Sequence, residues 1–237
     1  MKKLYMVLLM CAGIACNNIS SKRIEGNGVS AMQEREVGDF AGVSGMGHME
    51  IIVNNGPSHT IKIEGDQNLL EYIETRNNGD VVEVHTKDGY NLRSKKPIRI
   101  YATAPAFSSL KVAGSGDIRS EGKIISNELY TEVSGSGNIS LEVDAPRIKT
   151  EIAGSGAVTL HGTTRDFFAQ VSGSGEIRAF RLLSENTEVD IAGSGDVEVY
   201  ASKSLDIDIA GAGDVRYKGN PGVKQNIAGS GNISRVE

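Results

Sequence analysis

The sequence predicts an all-β fold: a right-handed parallel β-helix, or solenoid, with a less regular N-terminal β domain capping it. Three observations carry this. A Gly-Ser-Gly or Gly-Ala-Gly triplet recurs seven times, starting at Gly114, Gly135, Gly154, Gly173, Gly193, Gly211 and Gly229, at intervals of 21, 19, 19, 20, 18 and 18 residues. Two positions frame every triplet with Val or Ile: Val112, Val133, Ile152, Val171, Ile191, Ile209 and Ile227 before it, and Ile118, Ile139, Val158, Ile177, Val197, Val215 and Ile233 after it. The flanks alternate apolar and polar, as in Leu205-Asp206-Ile207-Asp208-Ile209, which is the period of a strand.

The N-terminus is an address. Lys2 and Lys3 precede an apolar run from Leu4 to Ala15, of signal-peptide length and too short to span a bilayer. Gly13-Ile14-Ala15-Cys16 resembles a bacterial lipobox with Gly13 at the position that usually carries Leu. Residues 1–16 are therefore predicted to be a signal peptide with a lipobox, and Cys16 the lipidated residue. The other reading is ordinary cleavage near Ala15 that leaves Cys16 a free thiol. Residues 17–35 have mixed polarity and no sustained period, so they are expected to form a flexible tether.

Residues 36–105 read as an N-terminal β domain. Alternating runs at Met49–Val53, Thr60–Glu64, Val81–His85 and Ile98–Tyr101 are separated by turn signals such as Asn77-Asn78-Gly79-Asp80. Asp66–Thr75 has Leu69, Leu70 and Ile73 at helical spacing, which fits a short helix, and a longer strand is the competing reading. Val43–Met49 reads as a degenerate copy of the repeat with Met46 in place of the triplet serine. A solenoid needs its first coil covered, because an open strand edge recruits other chains. The boundary is expected near Ala104-Pro105.

Residues 106–237 are the repeat solenoid. One strand–corner–strand unit cannot bury its apolar face alone, and stacking coils about 4.8 Å apart does so. About 19 residues suffice for a coil with three short sides. Right-handedness follows from the bias of parallel β crossovers. The triplet glycines are expected to turn a sharp corner with positive φ while backbones of successive coils approach closely. The middle residue is expected to stay small for the same packing reason.

Composition excludes several functions. Removal of residues 1–15 leaves 23 basic against 30 acidic side chains, a net charge of −7, so no nucleic-acid partner is expected. Both cysteines, Cys11 and Cys16, lie in the address, which leaves the folded part without disulfides or thiolate ligands. His48, His59, His85 and His161 lack metal-ligand spacing. The triplets lack the strand–helix setting of a nucleotide loop, and a serine present at nearly every level is not a nucleophile. No catalytic, cofactor or metal site is predicted.

The opening VGDFAGVSGMGHMEIIV, the middle TIKIEGDQNLLEYIET, and PIRIYATAPAFSSLKVAGSGDI leading into the triplets resemble the auto-transporter adhesin head (GIN-type) domain family of Bacteroidetes-type bacteria. The resemblance covers residues 36–237. It implies a right-handed β-helix-like fold on an exported, often lipid-anchored protein, and it brings no catalytic residues.

The position after each triplet holds Asp117, Asn138, Ala157, Glu176, Asp196, Asp214 and Asn232. These should stack outward as a polar ladder. Asp117, Asn138, Glu176, Asp196, Asp214 and Asn232 are the candidate binding residues, for a carbohydrate or a calcium ion. The other reading, which the residue types favour, is that short polar residues suit the end of a glycine turn, where they hydrogen-bond local backbone. The expected function is a non-catalytic, cell-envelope-tethered solenoid for adhesion or envelope interaction, with a glycan or an envelope or host surface as ligand. The expected location is the outer membrane or cell envelope, with the membrane as partner through the lipid anchor. Two alternatives stand: a structural or assembly module that self-associates, and a polysaccharide-active β-helix enzyme using outward acids such as Glu132, Glu142, Glu151, Glu188, Asp190, Glu198, Asp206 and Asp208.

Overall fold

The computed structural model describes residues 21–237. The expected signal peptide and Cys16 lie outside the described residues. In chain order the strands of the N-terminal half are β1 Lys22–Glu25, β2 Ser30–Arg35, β3 Gly42–Gly47, β4 Glu50–Asn55, β5 Thr60–Asp66, β6 Ile73–Asn78, β7 Val81–Thr86, β8 Tyr90–Arg93 and β9 Arg99–Ala104. The repeat half contributes β10 Ser109–Gly114, β11 Asp117–Ile125, β12 Leu129–Gly135, β13 Asn138–Asp144, β14 Arg147–Gly154, β15 Ala157–Thr163, β16 Asp166–Gly173 and β17 Glu176–Leu183. It ends with β18 Asn186–Gly193, β19 Asp196–Ala201, β20 Ser204–Gly211, β21 Asp214–Gly219, β22 Gly222–Gly229 and β23 Asn232–Arg235. The molecule is a β-solenoid, as the triplet spacing predicts.

Each coil has two sides, not the three expected from its length. The coil from Gly135 to Gly154 crosses the Ser-Gly corner, runs out along β13, turns at Ala145-Pro146 and returns along β14. Pro146 suits that two-residue turn because its ring fixes φ at a turn value, and Thr164-Arg165, Ser184-Glu185 and Ser202-Lys203 make turns of the same length without proline. Even-numbered strands from β10 to β22 stack in parallel in a ten-stranded sheet, and odd-numbered strands from β11 to β23 in an eleven-stranded one. The triplet is the corner between the sheets.

Equivalent residues stack in register. Val112, Val133, Ile152, Val171, Ile191, Ile209 and Ile227 form one column, and Ile118 through Ile233 another. From Val112 to Ile209 and from Ile118 to Val215 these side chains are at most 2% exposed, each worth about 1.5–3 kcal/mol of burial. Thr131 and Thr150 also face inward, fully buried, and satisfy each other through a 2.9 Å hydroxyl–hydroxyl hydrogen bond. Unequal repeat lengths fall in the eleven-stranded sheet. The 21-residue spacing is absorbed by a register shift in β11 after Arg119, and the 20-residue spacing by one between β15 and β17. The shorter repeats have six-residue strands there, β19 and β21. Corners and ten-stranded sheet stay in step, which keeps both Val/Ile columns unbroken.

Inter-coil hydrogen bonding continues through the corner. Ser136 N–H donates to the Gly114 carbonyl at 2.8 Å and Asn138 N–H to the Gly116 carbonyl at 3.1 Å, and the pattern repeats to Ser230 and Asn232. The first glycine of every triplet has φ between 111° and 145°. A Cβ on Gly135 would sit 2.5 Å from the Gly114 carbonyl oxygen, so conformation and close approach both require glycine. The corner serines, by contrast, are solvent-exposed, so packing does not limit their size.

The parallel stack runs across the Ala104-Pro105 position. β3 pairs with β10, and β4 with β11, as one more coil. Its corner lies two residues later than the sequence frame suggests: Gly47 pairs with Gly114 and has φ 103°, so His48 holds the serine position and Met49 that of the second glycine. A two-residue slip leaves every side chain on the same face, so alternation does not reveal it. Gly45 then falls in the Val column, and the space it leaves is taken by Ile51.

Residues 56–108 loop out of this coil and cover it. β7 pairs with β3 and β9 with β4, while β6, β5 and β2 add antiparallel strands beyond them. Gln67–Tyr72 is a short 3-10 helix that buries Leu69 and Leu70. The expectation of a flexible tether up to residue 35 is corrected: β1 pairs with β8, and β2 with β5. Alternation fails to mark β2 because its inward positions include Arg35, whose guanidinium donates to the Leu70 carbonyl at 2.5 Å and the Ile73 carbonyl at 3.1 Å.

Candidate functional site

The predicted ladder exists as a geometric column. Asp117, Asn138, Ala157, Glu176, Asp196, Asp214 and Asn232 occupy consecutive register positions along the outer side of the eleven-stranded sheet, and Glu50 extends the column into the first coil. Part of its polarity is used locally. Asn138 Nδ2 donates to Asp117 Oδ1 at 2.8 Å, Asn232 N–H donates to Asp214 Oδ1 at 3.1 Å, and Glu176 pairs with Arg178. Glu50 accepts from Arg119 Nε and Arg99 Nε, both at 2.9 Å. Those bonds, Arg119 foremost, hold its carboxyl below the usual range against the opposing effect of burial. Among the described residues no three His, Cys, Asp or Glu side chains are grouped to hold a metal ion.

The grooved surface lies on the other sheet. Three adjoining depressions of about 180, 240 and 190 Å³ run along the outer face of the ten-stranded sheet, across β14, β16, β18, β20 and β22. The first has a floor of small side chains, Ser172, Ala192, Ala210 and Ala228, beside a ridge of Gln170, Asp190, Asp208 and Asn226. The other two share Phe168 and Glu188, with Asn186, Ser204 and Asp206 around one and Lys149, Gln170 and Asp190 around the other.

Strand geometry places Phe168 there. Phe167 is buried in the core at 1% exposure, so its neighbour must point outward, and Phe168 lies half-buried on the sheet face. Its column runs Tyr130, Lys149, Phe168, Glu188, Asp206 and Lys224. At the Tyr130 end charges pair off: Lys111 lies 5.0 Å from the Tyr130 ring centroid, Tyr130 Oη donates to Glu151 at 2.6 Å, and Glu132 pairs with Lys111 at 3.3 Å. Toward the C-terminal coils acids accumulate. Lys224 reaches Asp206 at 2.8 Å and Asn226 donates to Asp208 at 2.8 Å. Burial, then the neighbouring Asp208 and Asp206, raise the Asp190 carboxyl above its ordinary value.

The outward acids named from the sequence therefore divide between two faces. Glu142 and Glu198 belong to the eleven-stranded sheet, where Glu198 pairs with Arg216 at 2.6 Å. Glu132, Glu151, Glu188, Asp190, Asp206 and Asp208 belong to the ten-stranded one. Phe168, Gln170 and Asn226 escaped the sequence reading. The signal was available in the Phe167-Phe168 pair, since two adjacent aromatics in a strand cannot both be core.

The chain resembles solved structures of the same fold. A protein from Parabacteroides distasonis ATCC 8503 described as a putative lipid binding protein aligns with a TM-score of 0.77 at 27% identity, over 91% of this chain and 100% of that one. A putative adhesin from Bacteroides fragilis NCTC 9343 aligns with a TM-score of 0.83 at 21% identity, over 90% of this chain and 100% of that one. A putative adhesin from Parabacteroides merdae ATCC 43184 gives 0.71 at 22% identity, over 92% and 100%. No curated protein matches the chain. The family described as "Putative auto-transporter adhesin, head GIN domain" matches residues 39–221, which take in the first coil, its cover and six of the seven triplets. This chain is a member of that family.

Proposed function

We propose that the protein is a non-catalytic adhesin module, exported and tethered to the cell envelope by acylation of Cys16, and that the grooved face of its ten-stranded sheet binds an extended glycan. The carrying observation is Phe168, a half-buried aromatic between two depressions whose walls offer amide and carboxylate groups. An aromatic ring covers the apolar face of a sugar, while Gln170, Asn186 and Asn226 donate to and accept from hydroxyls. Such a mixture of a few aromatic and convergent polar groups is typical of a small-molecule surface. The acids on this face disfavour anionic polysaccharides through like-charge repulsion, so the ligand is a neutral or amine-bearing glycan. Extent suits a polymer: coils about 4.8 Å apart set the three depressions side by side along the sheet. The Asp117–Asn232 ladder is the weaker candidate because its column holds no aromatic ring and Ala157 interrupts its polar groups.

A glycan array probed with the chain from residue 17 onward, which holds every described strand, tests this reading. Retention is expected on neutral or amine-bearing glycans and should fall at least tenfold in Phe168→Ala, about 1.4 kcal/mol. Asp196→Ala and Asp214→Ala should retain binding. Equal retention by Phe168→Ala, or loss only in the ladder variants, moves the site off this face. New reducing ends or unsaturated products from incubated polysaccharides would refute a non-catalytic role.

A further inference from the structure

The end of the molecule nearest Cys16 carries its own surface chemistry. β1 and β8 form a two-stranded parallel ribbon with Ile24 and Leu92 turned inward. Lys22, Arg23 and Arg93 are exposed on it, and Lys95 and Lys96 are exposed on the loop that follows β8. Against these five cations stand Glu25, which pairs with Arg23 at 2.9 Å, the exposed Asp88 beside Gly89, whose carbonyl accepts the Lys22 N–H, and the fully buried Asp66; exposed Lys87 adds a further cation.

Asp66 organises the patch. Its Oδ1 accepts from Gly28 N–H at 2.6 Å, and its Oδ2 from Lys95 N–H at 2.7 Å and Lys96 N–H at 3.1 Å. One buried carboxylate therefore holds the Gly28 turn against the lysine loop. A Cβ on Gly28 would lie 3.6 Å from Lys95 Cδ, so the lysine stem runs beside this turn. The next residue, Val29, is an aliphatic side chain left 54% exposed. A fixed cationic loop next to an exposed aliphatic group is thus built into the fold, on a chain whose mature net charge is −7.

Chain length says what faces it. Lys22 lies six residue steps after Cys16, and six steps span at most about 20 Å when fully extended. An acyl group on Cys16 therefore keeps the ribbon within about two nanometres of the lipid surface. At that distance cations next to anionic headgroups are attracted, and an aliphatic side chain enters the interface.

We infer that the β1–β8 ribbon and the Lys95-Lys96 loop form a second membrane contact, docking on anionic headgroups beside Val29. This inference rests on the Cys16 anchor for its setting. It orients the molecule: the capped first coil faces the bilayer, and the triplet coils stack away from it. The chain from residue 17 onward, without an acyl group, is mixed with vesicles of phosphatidylcholine alone or with 30% phosphatidylglycerol, and sedimented. Binding is expected only to the anionic vesicles, and it should weaken with added salt. Lys95→Glu/Lys96→Glu should lower it at least tenfold and Val29→Ser about threefold, with unchanged circular dichroism. No binding by the parent chain, equal binding to neutral vesicles, or full binding by the double variant overturns the inference. Because no acyl group is present, none of these outcomes depends on lipidation. The anchor is tested separately by radiolabelled palmitate, where equal labelling of wild type and Cys16→Ala refutes it.

Discussion

Gly154→Val is expected to cost about 3 kcal/mol or more and to loosen the coils on both sides. The residue has φ 131°, outside every region that β-branched residues tolerate. Its added Cβ would also press into the Gly135 carbonyl oxygen, the acceptor of the Ser155 N–H bond at 2.9 Å. Neither problem is relieved by a rotamer change, because both lie in the backbone. Gly79→Ala separates the two effects. Gly79 has φ 62° and open space around its missing Cβ, so alanine there costs only the left-handed penalty of about 1–2 kcal/mol. Gly154→Ala should cost distinctly more. Urea unfolding of the three variants checks this order, and equal losses for Gly79→Ala and Gly154→Ala would remove close approach from the explanation.

Asp66→Ala is expected to destabilise the capped end by about 3–5 kcal/mol. The side chain is fully buried and its loss strands three backbone N–H groups that it now accepts. It also predicts a pH dependence. Burial alone would raise this carboxyl, but the Lys96, Lys95 and Gly28 N–H bonds outweigh burial and hold it below the ordinary aspartate value. A depressed folded pKa stabilises above the unfolded value of about 3.9 and is lost as pH falls through the folded value. Wild type should therefore lose stability on acidification below about pH 4, and Asp66→Asn should lose less over the same window. Parallel urea midpoints for the two proteins from pH 6 to pH 2.5 would contradict this assignment.

The scaffold was legible because its chemistry repeats. Glycines in a fixed frame and Val or Ile on both sides give corner, core and stacking direction without long-range information. The two-sided coil was less legible, since Ala145-Pro146 and its counterparts differ at every level. Around Val43–Met49 two frames satisfy alternation, and the pairing of Gly47 with Gly114 and its positive φ select one. β1 and β2 were hidden for another reason: their partners lie far along the chain, and Arg35 faces inward on β2 to serve carbonyls rather than to pack.

The candidate site divides the same way. The ladder was readable because it is periodic, and periodicity is what a scaffold produces. The grooved face depends on what is not repeated: one aromatic at Phe168, amides at Gln170 and Asn226, and acids gathered at Glu188, Asp190 and Asp208. Those positions come together only when strands 18 to 20 residues apart are set side by side.

Amide hydrogen exchange at the corners tests the central claim most directly. Ser136, Ser155, Ser174, Ser194 and Ala212 sit in exposed turns, yet each donates its N–H to a glycine carbonyl of the preceding coil at 2.8–2.9 Å. A continuous stack predicts that these five amides exchange as slowly as the strand interiors, at rates set by opening of whole coils. Exchange as fast as at the Asn78-Gly79 and Asp88-Gly89 turns would mean that the triplets are loops, and would contradict the solenoid corner on which the rest of the account stands.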